Sequence, residues 1–198
     1  WDAPVETNIR QKDAYTLEGY RFSKGWAEDQ RLWFAIRSSV PVKQFAVYDG
    51  DEKKEGKELK SKFTKGLISF DKAPAQVMLK VGISPVSSEN ALANINAEIP
   101  GWDFNQVVNS ANAKWTKQFA KINVQTKDES AKRVFYTTLY HTMIGPALFN
   151  DHDGTYRGTD KKVYKNPGFD NYTVFSLWDI YRSTAPLSTL LHTDRVTS

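Results

Sequence analysis

The sequence of 198 residues contains no cysteine, which excludes a disulfide framework, a thiolate-bound zinc site and a thiol nucleophile. It also contains no GxGxxG or GxxxxGK[ST] stretch, so a nucleotide cofactor has no support. A GxSxG nucleophile elbow and an HExxH zinc motif are absent as well. No apolar run approaches the ~18 residues that predict a membrane span, and we therefore predict none.

Charge does not point to a nucleic-acid partner. Lys and Arg number 27 against 23 Asp and Glu, and the positive residues are scattered except between Asp51 and Lys65. That run, DEKKEGKELKSKFTK, mixes both signs, which is typical of a solvated hairpin or loop. Hydrophobic residues make up 40% of the chain, enough to build a core.

The first part of the chain has the pattern of antiparallel β-structure. Five short segments rich in aromatic and branched residues are separated by Gly, Asp and Lys-rich connections, which indicates one sheet or part of a sandwich. The predicted strands are residues 15–22, 31–36, 44–48, 66–70 and 75–83. Asp49-Gly50 is a hairpin signal, although the long polar stretch behind it argues against a simple two-residue turn.

The pattern changes to helical spacing near residue 86, which we take as the internal boundary. Ser87 or Ser88 can cap a first helix that stops at Pro100-Gly101. Asp103 then caps a longer helix, whose apolar residues keep helical spacing over about five turns.

Two further helices are predicted. Thr126 and Glu129 have the spacing of a capping box for a third helix that runs to Gly145-Pro146. A last helix begins near Ser176 and is bent or broken by Pro186. Neither the β-region nor the helical array forms complete layers by itself, and we therefore expect the chain to be a fragment of a longer protein.

The stretch NDHDGTYRGTD, residues 150–160, resembles the middle of a calcium-binding loop but fails as one. The helix-loop-helix pattern needs an oxygen ligand at Phe149 and a bidentate Glu at Asp160. A turn-rich loop with Asx hydrogen bonds is the favoured explanation of the stretch. The alternative is a loop that lines a polar site, with Asp153 and Arg157 as contacts.

The stretch FSLWDIYRS, residues 175–183, has two interpretations. Helical spacing would let the side chains of Trp178, Asp179 and Arg182 converge. In the first interpretation Asp179 and Arg182 form an ordinary ion pair on a helix surface. In the second, Asp179 accepts hydrogen bonds from sugar hydroxyls, Trp178 offers a flat apolar face and Arg182 orients the carboxylate. Spacing alone does not decide between them.

Several longer stretches together resemble glycoside hydrolase family ninety-two, the bacterial exo-acting α-mannosidases. They are GWAEDQRLWFAI, VGISPVSSENALANINAEIPGWDF, VFYTTLYHTMIGPALFNDHDGTYRG and GFDNYTVFSLWDIYRSTAPLSTLL, from about residue 15 onward. The resemblance implies an α+β fold: a partial antiparallel β-sandwich, then linker helices, then the first helices of an (α/α)6 toroid. The implied domains are 1–86, the C-terminal part of the N-terminal β-sandwich; 87–125, the linker helices; and 126–198, the start of the catalytic toroid.

The same resemblance implies a calcium-dependent, inverting enzyme that removes terminal α-linked mannose from glycans and is periplasmic or secreted. Its catalytic acid and base and most calcium ligands are expected beyond this chain. We therefore assign no catalytic or metal-binding residue here. The chain alone, without the remainder of its polypeptide, is expected to be inactive. The residues implied to bind substrate are Trp178 and Asp179, with weaker support for Arg182, Asp153 and Arg157.

A non-catalytic carbohydrate-binding or structural module is the competing interpretation. The exposed faces of Trp26 or Trp33 on the β-region could stack on sugar rings, although Trp33 within RLWFAI fits a core better.

Overall fold

The computed structural model describes residues 2–71, 75–165, 168–173 and 176–193. The chain forms two compact units. The first comprises Trp1–Trp102 and Asp151–Asn166, and the second comprises Asp103–Asn150 and Pro167–Ser198. An antiparallel β-region followed by helices confirms the predicted α+β fold class. The division at residues 86 and 125 stays a prediction.

The first unit is built on two antiparallel sheets. The strands are β1 Ala3–Gln11, β2 Thr16–Lys24, β3 Gln30–Ser38, β4 Val42–Asp49, β5 Glu52–Lys54, β6 Glu58–Ser61, β7 Thr64–Phe70 and β8 Leu79–Ser84. The five-stranded sheet has the order β6-β1-β2-β3-β8, and the three-stranded sheet has the order β5-β4-β7. All five predicted strands are confirmed, with bounds that move by up to four residues.

A hydrophobic core lies between these sheets. Leu17 on β2 packs with Val42, Phe45 and Val47 on β4, and all four side chains are buried. Partly buried residues from β1, β3, β6 and β7 complete the cluster. Residues of both sheets thus meet in one layer, as expected for a sandwich.

The opposite face of the five-stranded sheet is covered by α1, Ser88–Glu98. Ser87 is its N-cap, and its hydroxyl accepts a hydrogen bond from the Asn90 N–H, as one of the two predicted caps requires. Ala35 on β3 packs against Ala91 and Ile95 of this helix. Small residues at this contact allow the helix to lie close to the sheet.

Strand β8 forms one end of the five-stranded sheet and pairs, within the described residues, with β3 alone. Its residues alternate between the two faces of the sheet. Lys80 and Ser84 are buried, whereas Leu79, Val81 and Ile83 each expose half or more of their surface. The three-stranded sheet therefore does not cover this apolar row.

The charged run between Asp51 and Lys65, predicted as a solvated hairpin or loop, contains β5, β6 and the first residues of β7. Against our expectation, a two-residue turn joins β4 and β5. The direct pairing of Asp49 with Glu52 shows this turn length. Gly50 has a φ of +59° at the first central position, which a type II′ turn requires and glycine adopts without strain. The sequence signal at Asp49-Gly50 thus outweighs the polar stretch behind it.

In the second unit, α2 Phe104–Phe119 packs against α3 Glu129–Thr142 through aromatic rings. Trp115 lies edge-on to Tyr140 with ring centroids 4.7 Å apart. Asp103 caps α2 as predicted. The predicted capping box of α3 is wrong, because Asp128 accepts hydrogen bonds from the first-turn amides and Thr126 instead accepts one from the Asp128 N–H.

The last predicted helix is two helices, α4 Leu177–Ile180 and α5 Thr184–Leu191. Its start after Ser176 and its break are confirmed, and the break lies at residues 181–183, just before the turn that contains Pro186. A proline ring clashes with the carbonyl four residues earlier in a continuous helix, here that of Arg182. The chain therefore leaves the helix one turn before Pro186, which then sits in the first turn of α5, where its missing N–H costs little.

Residues 151–165 carry a small hairpin of β9 Tyr156–Arg157 and β10 Val163–Tyr164. Within the described part of the chain, no helix is both long and apolar enough to span a bilayer.

Candidate functional site

The Trp178–Asp179 pair lies on the single turn of α4. Trp178 is 87% exposed, and the Asp179 side chain is also exposed. The Asp179 N–H donates to the Ser176 carbonyl at 3.2 Å, which holds the start of the turn. Both side chains are thus presented on a short helix without contributing to a core. Phe175, which precedes this turn, lies outside the described residues.

Arg182 does not form the ordinary ion pair with Asp179 that the first interpretation required. Its Nε donates to the Tyr181 hydroxyl at 2.7 Å, and its guanidinium lies 5.4 Å from the centroid of the Tyr181 ring. Tyr181 is the C-cap residue of α4, and the Arg182 guanidinium is held by this neighbour instead of by Asp179. Whether these residues bind sugar stays a prediction.

Asp153 lies in the turn before β9. Its Oδ1 accepts a hydrogen bond from the Thr155 N–H at 2.9 Å, the Asx geometry predicted for this loop. This bond is the main reason that the pKa of the Asp153 carboxyl lies below its ordinary value, and Asn90 adds a weaker contact at 3.4 Å. Asp153 is therefore a carboxylate at neutral pH.

Arg157, on β9, is bound to Asp29 in the connection between β2 and β3. Its Nη2 lies 2.7 Å from Asp29 Oδ2, and its Nη1 donates to the Asp29 carbonyl at 3.3 Å. The Arg157 side chain is only 13% exposed. The pKa of Asp29 is lowered mainly by its hydrogen bond from Arg31 and also by that from Arg157.

Sequence reasoning missed Asp151, the most buried carboxylate of the same segment, which is 5% exposed. Its Oδ2 accepts hydrogen bonds from the Ser84 hydroxyl at 2.7 Å and from Asn90 Nδ2 at 2.9 Å. Its Oδ1 accepts one from Asn94 Nδ2 at 2.8 Å. The Asn94 side chain also accepts from the His152 N–H at 2.8 Å. Three neutral donors thus surround one charge.

A sequence signal for this cluster existed. Asn90 and Asn94 are four apart near the start of a predicted helix, so both amides lie on one face beside the N-terminal turn. Asparagine is unfavourable inside a helix unless its side chain has a partner. The pair could have suggested a polar partner for α1, although not that the partner is Asp151.

The carboxylates near Asp151 do not gather into a cluster typical of a metal site. Over the described ranges, no three His, Cys, Asp or Glu side chains are grouped so that they could hold a metal ion. Asp151 and Asp153 are near each other but receive hydrogen bonds from Asn90 and other donors. The calcium ligands of the whole protein, expected mostly outside this chain, stay a prediction.

Two family models match this chain, one over its β-strands and the other over its helices. The family model of the glycosyl hydrolase family 92 N-terminal domain matches residues 1–84, and that of the catalytic domain matches residues 90–198. The chain belongs to glycosyl hydrolase family 92.

Solved structures agree with this family. An α-mannosidase of family GH92 from Bacteroides thetaiotaomicron is 33% identical, with a TM-score of 0.89 over 95% of this chain and 26% of that one. The structure of the same enzyme in complex with mannoimidazole gives 34% identity and the same TM-score. An inverting GH92 mannosidase from the same organism is 24% identical with a TM-score of 0.83, and it supports the fold alone.

A curated relative, an uncharacterized secreted glycosidase from Arthroderma benhamiae, is 26% identical over 168 residues, which are 81% of this chain and 20% of that protein. The chain therefore spans about a quarter or less of the length of these relatives. The fold of this chain corresponds to the N-terminal β-sandwich of the family, followed by the start of its helical toroid.

Proposed function

We propose that this chain is part of a glycosidase that removes terminal α-linked mannose from glycans by inverting, calcium-dependent hydrolysis. One observation carries the proposal: identity of 33–34% to an α-mannosidase along 95% of the chain, with one of the two structures holding mannoimidazole. A secreted or periplasmic location is part of the proposal and is supported by the secreted description of the curated relative.

Inverting hydrolysis needs a carboxylic acid that protonates the leaving oxygen and a carboxylate that activates water on the opposite face, about 6.5–9.5 Å apart. We assign neither group to this chain. Calcium, when bound, would polarise oxygen ligands as a hard cation. The contribution proposed for this chain is to bind and orient the sugar.

Trp178 and Asp179 are the proposed sugar contacts. An exposed indole offers a flat apolar face, and a carboxylate accepts hydrogen bonds from vicinal hydroxyls, which are charge-assisted and directional. Arg182 is proposed as a third contact with weaker support, since its guanidinium already contacts Tyr181. Asp153 and Arg157 stay predictions as sugar contacts.

The test compares the longer protein that contains this sequence with the 198-residue chain, each assayed on an α-mannoside with calcium and after chelation. We expect activity in the long form, loss of that activity on chelation, and none in the short form. NMR of the first product should show the β-anomer of mannose. A long form that hydrolyses no α-mannoside would overturn the proposal.

A carbohydrate-binding module is the second candidate, and the exposure of Trp26 favours it, since 89% of its surface is accessible. Calorimetry of the 198-residue chain with mannose separates the two. Sugar binding by the short form, together with an inactive long form, would support the module.

A further inference from the structure

Residues 151–166 belong to the β-sheet unit, although the chain on both sides of them, Asp103–Asn150 and Pro167–Ser198, belongs to the helical unit. The segment has little apolar material to bury, since its sequence is DHDGTYRGTDKKVYKN. The hydrophobic effect therefore supplies a small part of its docking. Specific polar contacts have to hold it on the β-sheet unit.

The first such contact is the Asp151 carboxylate. It is buried and accepts hydrogen bonds from three side chains at 2.7–2.9 Å: Ser84 at the end of β8 and Asn90 and Asn94 on α1. Hydrogen bonds to an ionised carboxylate are about twice as strong as neutral ones. Ser84 ends β8 and the two asparagines lie on α1, so the contact ties the segment to both of these elements.

The second contact is the pair of Arg157 and Asp29, which are 128 residues apart in sequence. Arg157 contacts both the carboxylate and the backbone carbonyl of Asp29, and Arg31 fixes the same carboxylate from the other side at 3.0 Å. The Arg157 side chain is largely buried, whereas the pairs Arg21–Asp2, Lys43–Asp71 and Lys65–Asp51 lie on the surface. A buried, two-point contact is the kind of ion pair that contributes measurably to local structure.

We propose that Asp151, through Ser84, Asn90 and Asn94, and Arg157, through Asp29, are positioning residues that anchor the segment 151–166 on the β-sheet unit. The two anchors lie at the start of the segment and on its hairpin. Asp153, between them, bonds mainly to Thr155 of its own turn and contributes less. The proposal gives Arg157 a role that needs no contact with sugar and goes beyond the proposed function.

Hydrogen exchange followed by mass spectrometry tests the anchors in the full-length protein. The segment has its own reporter amides, since the Asp151 N–H bonds to the Thr155 carbonyl and the Gly158 N–H bonds to the Lys162 carbonyl. Asp151→Asn keeps the shape of the side chain and removes its charge. We expect exchange in residues 151–165 to accelerate about ten- to hundredfold, the effect of losing hydrogen bonds to a charged group.

Asn90→Ala provides a second variant that leaves Asp151 in place and favours the helix α1. Asp153→Asn is the matched control, because it changes a carboxylate two residues away, and its effect should be clearly smaller. Unchanged exchange in both Asp151→Asn and Asn90→Ala, or an equal effect of Asp153→Asn, would overturn the first anchor.

The second anchor is tested with Asp29→Asn, Arg157→Gln and the double variant. If the two residues act as one contact, each single variant accelerates exchange in 151–165, and the double variant does so no more than either. Asp51→Asn, which removes the exposed Asp51–Lys65 pair, should leave this segment unaffected. Additive effects, or exchange within twofold of wild type in both single variants, would refute the pairing.

Kinetics separates anchoring from sugar contact, and this part of the test rests on the proposed function. If Arg157 acts through Asp29, Asp29→Asn and Arg157→Gln should lower kcat/KM by the same factor. A raised KM in Arg157→Gln with an unchanged KM in Asp29→Asn would identify a direct sugar contact and contradict the proposal. The exchange experiment needs no activity, so a failure of the anchors and a failure of the glycosidase assignment can be told apart.

Discussion

The ammonium group of Lys80 lies 2.6 Å from the carbonyl oxygen of Ile99, the C-cap residue of α1. It also donates to the Pro100 carbonyl at 3.2 Å and lies 4.2 Å from the centroid of the Trp102 ring. A cation from strand β8 therefore satisfies the carbonyl end of the helix that covers the sheet. Burial, followed by the charge of Arg37, lowers the pKa of Lys80, so holding the charge at this position has a cost.

Replacing this lysine should loosen the contact between helix and sheet. Lys80→Met keeps the length of the side chain but leaves the two carbonyls without their donor, and we expect the free energy of unfolding to fall by about 1–2 kcal/mol. Urea denaturation followed by circular dichroism measures it. Lys53→Met, on the exposed face of β5, is the control and should change stability by less than about 0.5 kcal/mol. Equal effects of the two variants would contradict this role of Lys80.

Glu18 predicts a pH-dependent stability. It is 1% exposed and is paired with Arg10 and, at 2.9 Å, with Lys12. Burial raises the pKa of Glu18, but the hydrogen bonds from Lys12 and Arg10 outweigh burial and leave the pKa below the ordinary value of 4.5. A lowered folded-state pKa means that the ion pairs stabilise the protein above pH ~4.5 and are lost as the pH falls through the folded-state pKa.

Glu18→Gln should therefore lower the free energy of unfolding at pH 7, because both ion pairs are lost. We expect a decrease of only about 1–2 kcal/mol, since both cationic partners can regain water. The difference from wild type should shrink as the pH falls from about 4.5 through the folded-state pKa, below which wild-type Glu18 is protonated as well. Urea titrations between pH 3 and pH 7 measure this convergence. A difference that stays constant over that range would show that charge is not the cause.

Gly82 lies where β8 passes beneath α1. A Cβ at this position would come within 2.3 Å of the Ala91 carbonyl oxygen and 2.7 Å of Ile95 Cγ1. Since a backbone carbonyl of a packed helix cannot move aside alone, Gly82→Ala should destabilise the protein by about 1–3 kcal/mol. Thermal unfolding checks this, with the neighbouring exposed Val81→Ala as the control. A Gly82→Ala variant as stable as the wild type would mean that α1 lies farther from the sheet.

Asp179→Ala is predicted to reduce kcat/KM of the full-length enzyme on an α-mannoside by at least ~10²-fold, about 2.7 kcal/mol of transition-state stabilisation. The physical reason is the loss of a charged acceptor for sugar hydroxyls. Asp160→Ala, a change to an exposed carboxylate that bonds to Tyr164, should stay within threefold of wild type. If Asp179→Ala also stays within threefold, Asp179 is a structural residue and not a sugar contact.

Periodicity predicted most elements of this fold, and the exceptions have physical reasons. Strand β1 was missed because its alternation is carried by few apolar residues, and polar side chains hold its register instead. Thr7 Oγ1 donates to the Ser61 carbonyl at 3.0 Å, and Asn8 Nδ2 donates to the Leu59 carbonyl at 3.2 Å. Such long-range partners leave no local pattern in the sequence.

The candidate site was predictable to a smaller degree. A motif resemblance selected Trp178 and Asp179, and the short helix that carries them begins at the predicted residue. The buried position of Asp151 depends on Ser84, 67 residues earlier, and the partner of Arg157 lies 128 residues away. Contacts across such separations come from the tertiary fold and cannot be obtained from spacing.

The uncovered row of Leu79, Val81 and Ile83 has a practical consequence for work on the 198-residue chain. An edge strand with an exposed apolar face can pair with a strand of a second molecule. Such pairing would remove the three exposed side chains from water. At high concentration the short form should therefore self-associate, and substituting Val81 with lysine should keep it dispersed.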